Sequence, residues 1–229
     1  MLPVVGDWVV KGKSNIGTFD PATGSWHLDH GSFTWDACGT TGATCISSFG
    51  QTGDLPVVKE SNNSDQIIIG VYRPQSSTNR RRSTSKPSRW KFDANGDAKL
   101  GDCTTDSCFD FGVSGDLPVV GDWNGASADK IGVFRPSLGQ WLLDLNGNGK
   151  WDGSPNDIIL GPFGSLGDRP VVGDWDGKGK AKIGVFRPST GEWFLDLNGN
   201  GIFDGCQVDI CISASAIYQQ GDLPVVGKW

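Results

Sequence analysis

The chain has 229 residues, of which 37% are hydrophobic and 20% are charged, a balance typical of a folded protein with an apolar core. Its formal net charge of −6 argues against a nucleic-acid partner, because binding to phosphates needs a basic face. No apolar run reaches the roughly 18 residues of a membrane span, so the sequence predicts none.

One short motif recurs five times along the chain. It reads LPVVGDW from Leu2, DLPVVKES from Asp54, DLPVVGDW from Asp116, DRPVVGDW from Asp168 and DLPVVGKW from Asp222. Three further apolar segments recur between the copies, as in KIGVFRP, GQWLLDL and DIILGPFG of the third unit. Each segment has the length, the Val, Ile, Phe and Trp content and the Gly, Pro or Asp boundaries of a short β-strand.

Four antiparallel strands repeated every 50 or so residues are typical of propeller blades, which stack because one blade cannot bury both of its faces. The sequence therefore predicts an all-β, four-bladed β-propeller in a single domain over residues 1–229. The predicted blades span approximately residues 1–53, 54–115, 116–167 and 168–221, about 53 residues each, and residues 222–229 are an extra C-terminal strand.

Six cysteines indicate an oxidising compartment, and residues 1–10 lack the features of a signal peptide. Close pairs stand in the same connection of three units, which favours three local disulfides. The predicted bridges are Cys38–Cys45, Cys103–Cys108 and Cys206–Cys211. Zinc is the alternative, but these spacings fit its C-x₂₋₄-C pattern poorly. The cysteines thus predict an extracellular or cell-surface protein.

Three Phe-Gly pairs begin at Phe49, Phe111 and Phe163, and the last two lead into GDW at Gly121 and Gly173. A short Gly-containing loop and IGVF then follow. This pattern resembles the FG-GAP/VCBS-like repeats of integrin-type β-propellers. The resemblance implies a propeller, an extracellular location and calcium in the loop after GD. The family expects acids at alternate positions of that loop, whereas this chain places Lys178 at one of them.

A second candidate metal loop lies between the third and fourth strands of the last two units, in LDLNGNGKWDG (143–153) and LDLNGNGIFDG (195–205). Oxygen ligands at alternate positions around one sharp glycine turn, at Gly149 or Gly201, are typical of Ca²⁺ sites. In the third unit the predicted ligands are Asp144, Asn146, Asn148, the carbonyl of Lys150, Asp152 and the later Asp157. In the fourth unit they are Asp196, Asn198, Asn200, the carbonyl of Ile202, Asp204 and Asp209. The alternative is a plain Asn-Gly hairpin turn.

The second unit keeps a partial copy of this loop. Its candidate ligands are Asp93, Asn95 and Asp97, Ala98 replaces the glycine, and the closing acid moves to Asp102. The first unit has Phe33 where a ligand belongs, so the sequence predicts an empty loop there.

Tryptophan recurs at one position of every unit, which predicts blade-to-blade packing. These residues are Trp26, Trp90, Trp141 and Trp193. Trp35 and Trp151 do not recur in this way and are candidate glycan contacts. A basic loop contains Arg80, Arg81, Arg82, Lys86 and Arg89, and an N-glycosylation sequon begins at Asn62.

No residue pattern indicates a catalyst, and the two histidines, His27 and His30, lie in one unit. The leading hypothesis is a non-enzymatic, calcium-stabilised extracellular propeller that serves in a structural or adhesive role. Because an unpaired fifth strand can add to another molecule, self-association into a filament through the terminal PVVG strand is part of this hypothesis. The alternative is a lectin-like, glycan-binding propeller.

Overall fold

A computed structural model describes residues 1–9, 12–60, 67–75, 87–213 and 218–228. Within these ranges the chain forms sixteen β-strands and no helix, so no described segment is a helix that could cross a membrane. The strands make four sheets, each of four strands that are consecutive along the chain. Neighbouring strands within a sheet are antiparallel. The predicted all-β fold of a four-bladed β-propeller is confirmed, and each sheet is one blade.

The strand bounds follow the predicted repeats, and each blade lies within one of them. Blade 1 contains β1 (Leu2–Gly6), β2 (Asn15–Asp20), β3 (Ser25–Asp29) and β4 (Ala43–Ile46). Blade 2 contains β5 (Leu55–Glu60), β6 (Ile67–Arg73), β7 (Arg89–Phe92) and β8 (Ser107–Asp110). Blade 3 contains β9 (Leu117–Gly121), β10 (Lys130–Arg135), β11 (Gln140–Asp144) and β12 (Asp157–Leu160). Blade 4 contains β13 (Arg169–Gly173), β14 (Lys182–Arg187), β15 (Glu192–Leu195) and β16 (Ile210–Ser213).

The glycine of the IGVF motif is required by close packing within the blade. A Cβ on Gly132 in β10 would lie 2.7 Å from Leu143 Cδ2 and 3.1 Å from the carbonyl oxygen of Leu142. Gly184 in β14 stands in the same relation to Leu195, at 2.7 Å. A larger residue would push the third strand away from the second, so the motif is set by strand packing.

The blades form two compact units, and the same repeat positions build the core of each. One unit contains Met1–Ser114 with Gly227 and Lys228, and the other contains Gly115–Val226. The core of the first unit includes Phe19, Trp26, Phe49, Ile69 and Val71. The core of the second unit includes their repeat counterparts Phe134, Trp141, Phe163, Ile183 and Val185. The repeat sequence therefore specifies how two successive blades pack.

The recurring tryptophan of the third strand also makes a conserved hydrogen bond within the repeat. Its indole N–H donates to the carbonyl of the phenylalanine in the next FG pair. The Nε1–O distances are 2.7 Å for Trp26 to Phe49, 3.0 Å for Trp90 to Phe111 and 2.9 Å for Trp141 to Phe163. Trp26 and Trp141 lie in cores that two successive blades share, so the predicted packing role is confirmed for these two. Trp90 is also buried, whereas Trp193 is partly buried.

An aspartate before the first strand of a blade holds an arginine at the end of the second strand. These pairs are Asp54–Arg73 at 2.7 Å, Asp116–Arg135 at 2.8 Å and Asp168–Arg187 at 3.0 Å. Both carboxylate oxygens accept from the guanidinium in each pair, a geometry that fixes orientation as well as charge. Blade 1 has Met1 and Asp20 at the two positions and cannot form this pair.

The segment 222–228 repeats the first-strand sequence, but it belongs to no sheet. Its last part is held in place: the Ser14 N–H donates to the Lys228 carbonyl at 2.6 Å, and the Lys228 N–H donates to Ser14 Oγ at 2.7 Å. The predicted extra strand is therefore not formed, because a strand requires a neighbour that pairs along its length.

Replacing Trp26 with Phe should lower the free energy of unfolding by about 1–3 kcal/mol, because the buried Phe49 carbonyl loses its donor. Urea unfolding followed by circular dichroism measures this. The matched control is Trp35→Phe in the same blade, where the ring is exposed and the change should stay within about 0.5 kcal/mol. Equal losses in the two variants would contradict the anchoring role.

Candidate functional site

The loops predicted to hold calcium begin where the third strand of a blade ends. In blade 3, Asp144 is the last residue of β11 and lies directly opposite Asp157, the first residue of β12. In blade 4, Asp196 and Asp209 stand one position beyond the Leu195–Ile210 pair that ends the β15–β16 ladder. Strand pairing therefore brings the first and last predicted acids of each loop together.

The first aspartate of each loop organises the turn. Asp144 accepts hydrogen bonds from the Gly147 and Gly149 N–H groups, both at 2.7 Å. Asp196 accepts from the equivalent glycines of its loop at 2.8 and 2.7 Å. Gly149 has a φ of 74° and Gly201 a φ of 78°, a left-handed conformation that glycine adopts without strain. The turn predicted at these two glycines is present.

Two asparagine side chains of each loop converge on one carboxylate oxygen. Asp152 Oδ2 lies 3.2 Å from Asn146 Nδ2 and 2.5 Å from Asn148 Nδ2. In blade 4, Asp204 Oδ2 lies 2.8 Å from Asn198 Nδ2 and 2.6 Å from Asn200 Nδ2. An amide presents its oxygen in place of its nitrogen by rotating about its last torsion. A cation at this point would require both amides to rotate, which would release the N–H groups of Asn148 and Lys150 that their oxygens now accept.

The last acid of each loop is hydrogen-bonded to the main chain of this cluster. Asp157 Oδ2 accepts the Asp152 N–H at 2.5 Å, and Asp209 Oδ2 accepts the Asp204 N–H at 2.7 Å. Asp144 and Asp157 are each only 1% exposed. Asp157 Oδ1 is buried without a hydrogen-bond partner among the described residues. A buried polar oxygen without a partner is costly, and a cation within reach would stabilise it.

Burial raises the pKa of Asp144 above its ordinary value, and the nearby Asp157 raises it further. Burial raises the pKa of Asp196 in the same way, with a further contribution from Asp209. The charge of the facing acid thus adds to burial in disfavouring ionisation of Asp144 and Asp196. A divalent cation would remove this conflict.

The acids alone do not make a complete coordination shell. Across the described ranges, no three His, Cys, Asp or Glu side chains cluster closely enough to be a metal site by themselves. A cation in these loops would therefore also need amide oxygens, main-chain carbonyls and water, which are the ligands Ca²⁺ commonly takes. The predicted carbonyl ligands belong to Lys150 and Ile202, whose N–H groups donate to Asn148 and Asn200 Oδ1, each at 2.8 Å.

Blade 2 has the same arrangement with an acid that sequence reasoning missed. Asp93 accepts the Gly96 and Ala98 N–H groups, each at 2.9 Å. Asp106 stands 13 positions after Asp93, the same spacing that separates Asp144 from Asp157. It is 5% exposed, its Oδ2 accepts the Gly101 N–H at 2.7 Å, and its Oδ1 has no hydrogen-bond partner in the described part of the chain. Burial raises the pKa of Asp106, with further contributions from Asp93 and Asp97.

Asp102, the acid predicted to close the blade 2 loop, has a different contact. It accepts from the Thr104 N–H at 2.8 Å and from Thr104 Oγ1 at 2.6 Å, in an exposed turn. Asn95 Oδ1 accepts the Asp97 N–H at 3.1 Å, so these two predicted ligands lie beside each other.

The blade 1 loop lacks the buried pair. Asp29 accepts the Gly31 and Phe33 N–H groups, each at 3.0 Å, but Gly42 stands 13 positions later where the other blades have an acid. The Phe33 side chain is exposed. The structure therefore supplies fewer oxygen ligands in blade 1, and the expectation that this loop is empty stays a prediction.

The three predicted disulfides are present. They are Cys38–Cys45, Cys103–Cys108 and Cys206–Cys211. In blades 2 and 4 the last acid of the loop, which we call the inner acid, lies between the two bridged cysteines in sequence. Asp106 and Asp209 each follow the first cysteine of their bridge by three positions. In both turns the aspartate N–H bonds to the carbonyl four residues earlier, at 2.9 Å, and Asp157 makes the same bond without a disulfide. The bridges close a turn whose hydrogen bonding is common to three blades.

In the loop after GD, where the family resemblance implied calcium, a lysine side chain from the following strand contacts a polar side chain of the loop. Lys182 Nζ contacts Asp176 Oδ1 in blade 4, and Lys130 Nζ donates to Asn124 Oδ1 at 2.8 Å in blade 3. The hydrogen bond from Lys182 holds the pKa of Asp176 well below its ordinary value. A lysine thus supplies the positive charge in these two loops, which argues against a metal there.

The two tryptophans predicted as glycan contacts are both exposed. The Trp35 ring is 67% exposed and stacks on His27, with ring centroids 4.0 Å apart and planes 8° from parallel. It lines a cavity of about 420 Å³ together with Asp20, Ser25 and Thr18. Trp151 is less exposed and lies in the blade 3 loop.

Part of the basic loop and the sequon lie outside the described residues. These are Arg80, Arg81, Arg82, Lys86 and Asn62. Arg89 belongs to β7 and forms an exposed ion pair with Asp110 at 2.8 Å.

Comparison with protein-family models gives no match, and a search of curated proteins gives none either. The likeness to FG-GAP repeats is therefore carried by the FG, GD and IGVF motifs and by the propeller fold alone.

The raised pKa values generate a pH-dependent prediction for protein stripped of metal by a chelator. An acid whose pKa is raised by folding stabilises the fold below its ordinary pKa of about 4, and this contribution is lost as the pH rises through the raised value. We expect the double variant Asp157→Asn/Asp209→Asn, which removes the facing charges, to gain stability relative to the unsubstituted protein as the pH rises above about 4. Urea unfolding at successive pH values measures the difference, and a constant difference would contradict the account.

Proposed function

We propose that this chain is a non-enzymatic structural or adhesion module of an extracellular protein and that Ca²⁺ stabilises it at the loops of blades 3 and 4. The observation that carries the proposal is the convergence of two amides on one aspartate oxygen above a buried acid, repeated in both blades at Asp152 and Asp204. A plain two-residue hairpin turn needs none of these side chains.

The charge and ligand type of the loop fit calcium. In blade 3 the Asp152 carboxylate has the side-chain amides of Asn146 and Asn148 beside it, and Asp157 accepts its main-chain N–H. Hard oxygen ligands without sulfur or imidazole suit Ca²⁺ or Mg²⁺, and a flexible loop of many oxygens favours the larger ion. We expect an affinity near that of extracellular modules, with a Kd of about 10⁻⁴–10⁻³ M.

The disulfides support the extracellular part of the proposal. All six cysteines are paired in three local bridges. Such bridges persist in oxidising environments and are rare in reducing ones. Membership of the FG-GAP/VCBS-like group is part of the same proposal, since its motifs occur in extracellular propellers.

The contacts of the titratable groups support a non-enzymatic role. His27 Nε2 lies 2.8 Å from the Asp36 carbonyl oxygen, and His30 is held between the Thr41 carbonyl and Thr44 Oγ1, each at 2.8 Å. The buried aspartates of the loops bind main-chain N–H groups. These groups serve the local structure, and the proposal assigns them no role in proton transfer.

Calcium should raise the melting temperature of chelator-treated protein, and the double variant Asp152→Asn/Asp204→Asn should abolish most of that rise. At a calcium concentration about 100 times the Kd, one site contributes about 2.7 kcal/mol, which is about 5–10 °C for a chain of this size. Differential scanning calorimetry with calcium and with a chelator measures the shift.

The matched control is Asp176→Asn in the GD loop, which should leave the calcium-dependent shift unchanged because Lys182 already supplies the positive charge there. The proposal is wrong if calcium gives no shift, or if the GD-loop variant alone removes it.

Glycan binding is a second candidate function, favoured by the exposed Trp35 ring. A sugar ring can stack on an indole whose outer face is free, and the adjacent cavity offers the hydroxyl or carboxylate oxygens of Ser25 and Asp20 for hydrogen bonds.

On a glycan array, Trp35→Ala should then lose at least about tenfold in binding, the size expected for one lost stacking contact, while Trp151→Ala serves as the exposed-tryptophan control. The calcium-dependent melting shift should be unchanged in Trp35→Ala, because Trp35 lies outside the blade 3 and blade 4 loops. Retention of binding in Trp35→Ala, or the absence of any glycan signal in the unsubstituted protein, would contradict this function.

A further inference from the structure

The GD loop of blade 3 spaces its oxygen atoms as cation-binding loops do. It runs from Asp122, which we number position 1, to Lys130 at position 9. Oxygen ligands at positions 1, 3 and 7, the last a main-chain carbonyl, are typical of Ca²⁺ loops. In this loop the three positions are Asp122, Asn124 and Ala128. Position 5 is Ala126, which has no side-chain oxygen, so one ligand of such a loop is missing.

The turn of this GD loop matches that of the candidate calcium loop at 143–153, which we call the NGNG loop of blade 3. Asp122 accepts the Gly125 N–H at 2.9 Å and the Ser127 N–H at 2.6 Å. Asp144 accepts N–H groups at the same spacing, three and five positions later. Ser127, at position 6, has a φ of 59°, in the left-handed region where the NGNG loop has glycine. The two loops of the blade therefore share one turn geometry.

The amide of Asn124 is oriented with its oxygen toward a positive charge. Its Nδ2 donates to the Leu145 carbonyl at 3.3 Å, and its Oδ1 accepts from Lys130 Nζ at 2.8 Å. In the NGNG loop of the same blade, both asparagines instead turn their nitrogens toward a carboxylate. The GD loop thus presents the amide as a ligand to a cation would be presented.

The ammonium group of Lys130 lies among the oxygens of positions 1, 3 and 7. Its Nζ is 2.8 Å from Asn124 Oδ1, 2.9 Å from the Ala128 carbonyl oxygen and 3.6 Å from Asp122 Oδ1. The lysine side chain is only 9% exposed, so these oxygens replace most of the water around its charge. A lysine ammonium therefore occupies the place that the ligand spacing assigns to a cation.

The aliphatic stem of the lysine lies beside the first glycine of the NGNG loop in both blades. A Cβ on Gly147 would lie 3.7 Å from Lys130 Cγ, Cδ and Cε. In blade 4, where the NGNG loop spans 195–205, a Cβ on Gly199 would lie 3.3 Å from Lys182 Cε. Each lysine therefore contacts both loops of its blade, which fixes the direction in which its ammonium points.

Blade 4 repeats this arrangement with a carboxylate in place of the amide. Lys182 is position 9 of its GD loop, its side chain is 8% exposed, and its Nζ contacts the carboxylate of Asp176 at position 3. Lys178, at position 5, reaches the same carboxylate at 3.3 Å, but its side chain is 79% exposed. One aspartate thus has an internal and an external ammonium partner.

We propose that the GD loops of blades 3 and 4 are cation sites filled by the protein's own lysine. Lys130 and Lys182 supply from position 9 the positive charge that the loop oxygens need, so these loops keep their structure without a metal ion. Removing the ammonium uncovers a site for a hard divalent cation such as Ca²⁺. This inference does not rest on calcium binding by the NGNG loops.

The variants Lys182→Met and Lys178→Met are a matched pair that tests the role of the internal ammonium. Methionine keeps an apolar stem and removes the charge. In the presence of a chelator, Lys182→Met should lower the melting temperature by about 4 °C or more, because the internal partner of Asp176 is lost. Lys178→Met should change it by no more than about 2 °C, because that lysine is exposed. Differential scanning calorimetry measures both.

A second test adds the missing ligand to blade 3. Ala126 is exposed, so Ala126→Asp places a carboxylate at position 5 without affecting the fold. While Lys130 is present, Ala126→Asp should bind no more calcium than the unsubstituted protein. Ala126→Asp/Lys130→Met should bind one additional calcium ion per chain, with a Kd of about 10⁻⁴–10⁻³ M. Equilibrium dialysis of chelator-treated protein against calcium measures the number bound.

Three results would overturn the proposal. One is an equal loss of melting temperature in Lys182→Met and Lys178→Met. Another is an additional calcium ion in Ala126→Asp alone, or none in the folded double variant. The third is a double variant that stays unfolded both in chelator and in calcium, because the metal ion should replace the ammonium. If the NGNG loops bind no calcium, the count for the unsubstituted protein falls, but the difference between the variants remains.

Discussion

The constraint on which the candidate site depends is the pairing of two aspartates across the last two strands of a blade. Antiparallel pairing of β11 with β12 puts Asp144 opposite Asp157, and both are buried. Two carboxylates in such a place need a proton, hydrogen-bond donors or a cation. Main-chain N–H groups satisfy part of this need, and the loop between the two acids places further polar side chains next to them.

In each blade the connection between the third and fourth strands contains a disulfide, an inner acid, or both. Blade 1 has a disulfide and no inner acid, and blade 3 has the inner acid Asp157 and no disulfide. Blades 2 and 4 have both, and there the bridge encloses the inner acid. A disulfide restricts the unfolded chain, whereas a bound cation stabilises the folded loop, so either can hold an outer connection with few buried apolar side chains. In blades 2 and 4, which have both, the bridge also closes the turn that holds the inner acid.

The repeat made most of the fold predictable from sequence. Each strand is marked by the same apolar segment in four places, and the cysteines stand so close in sequence that their pairing had few alternatives. Asp106 was missed because Asp102 stands nearer to the remnant loop, and only the pairing of β7 with β8 shows which acid lies inside. The role of Lys182 in the GD loop depends on a contact between a strand and the loop before it, which sequence spacing does not show. The terminal segment was expected to be a strand from its sequence alone, but a strand also needs a neighbour.

The most direct test of the account is crystal diffraction from the chain grown in calcium, collected for anomalous scattering. The account predicts anomalous difference peaks in the blade 3 and blade 4 loops, each within coordination distance of Asp152 or Asp204 and of the neighbouring asparagine oxygens. Well-ordered loops without such peaks, or peaks in the GD loops beside Asp122 and Asp174, would contradict it.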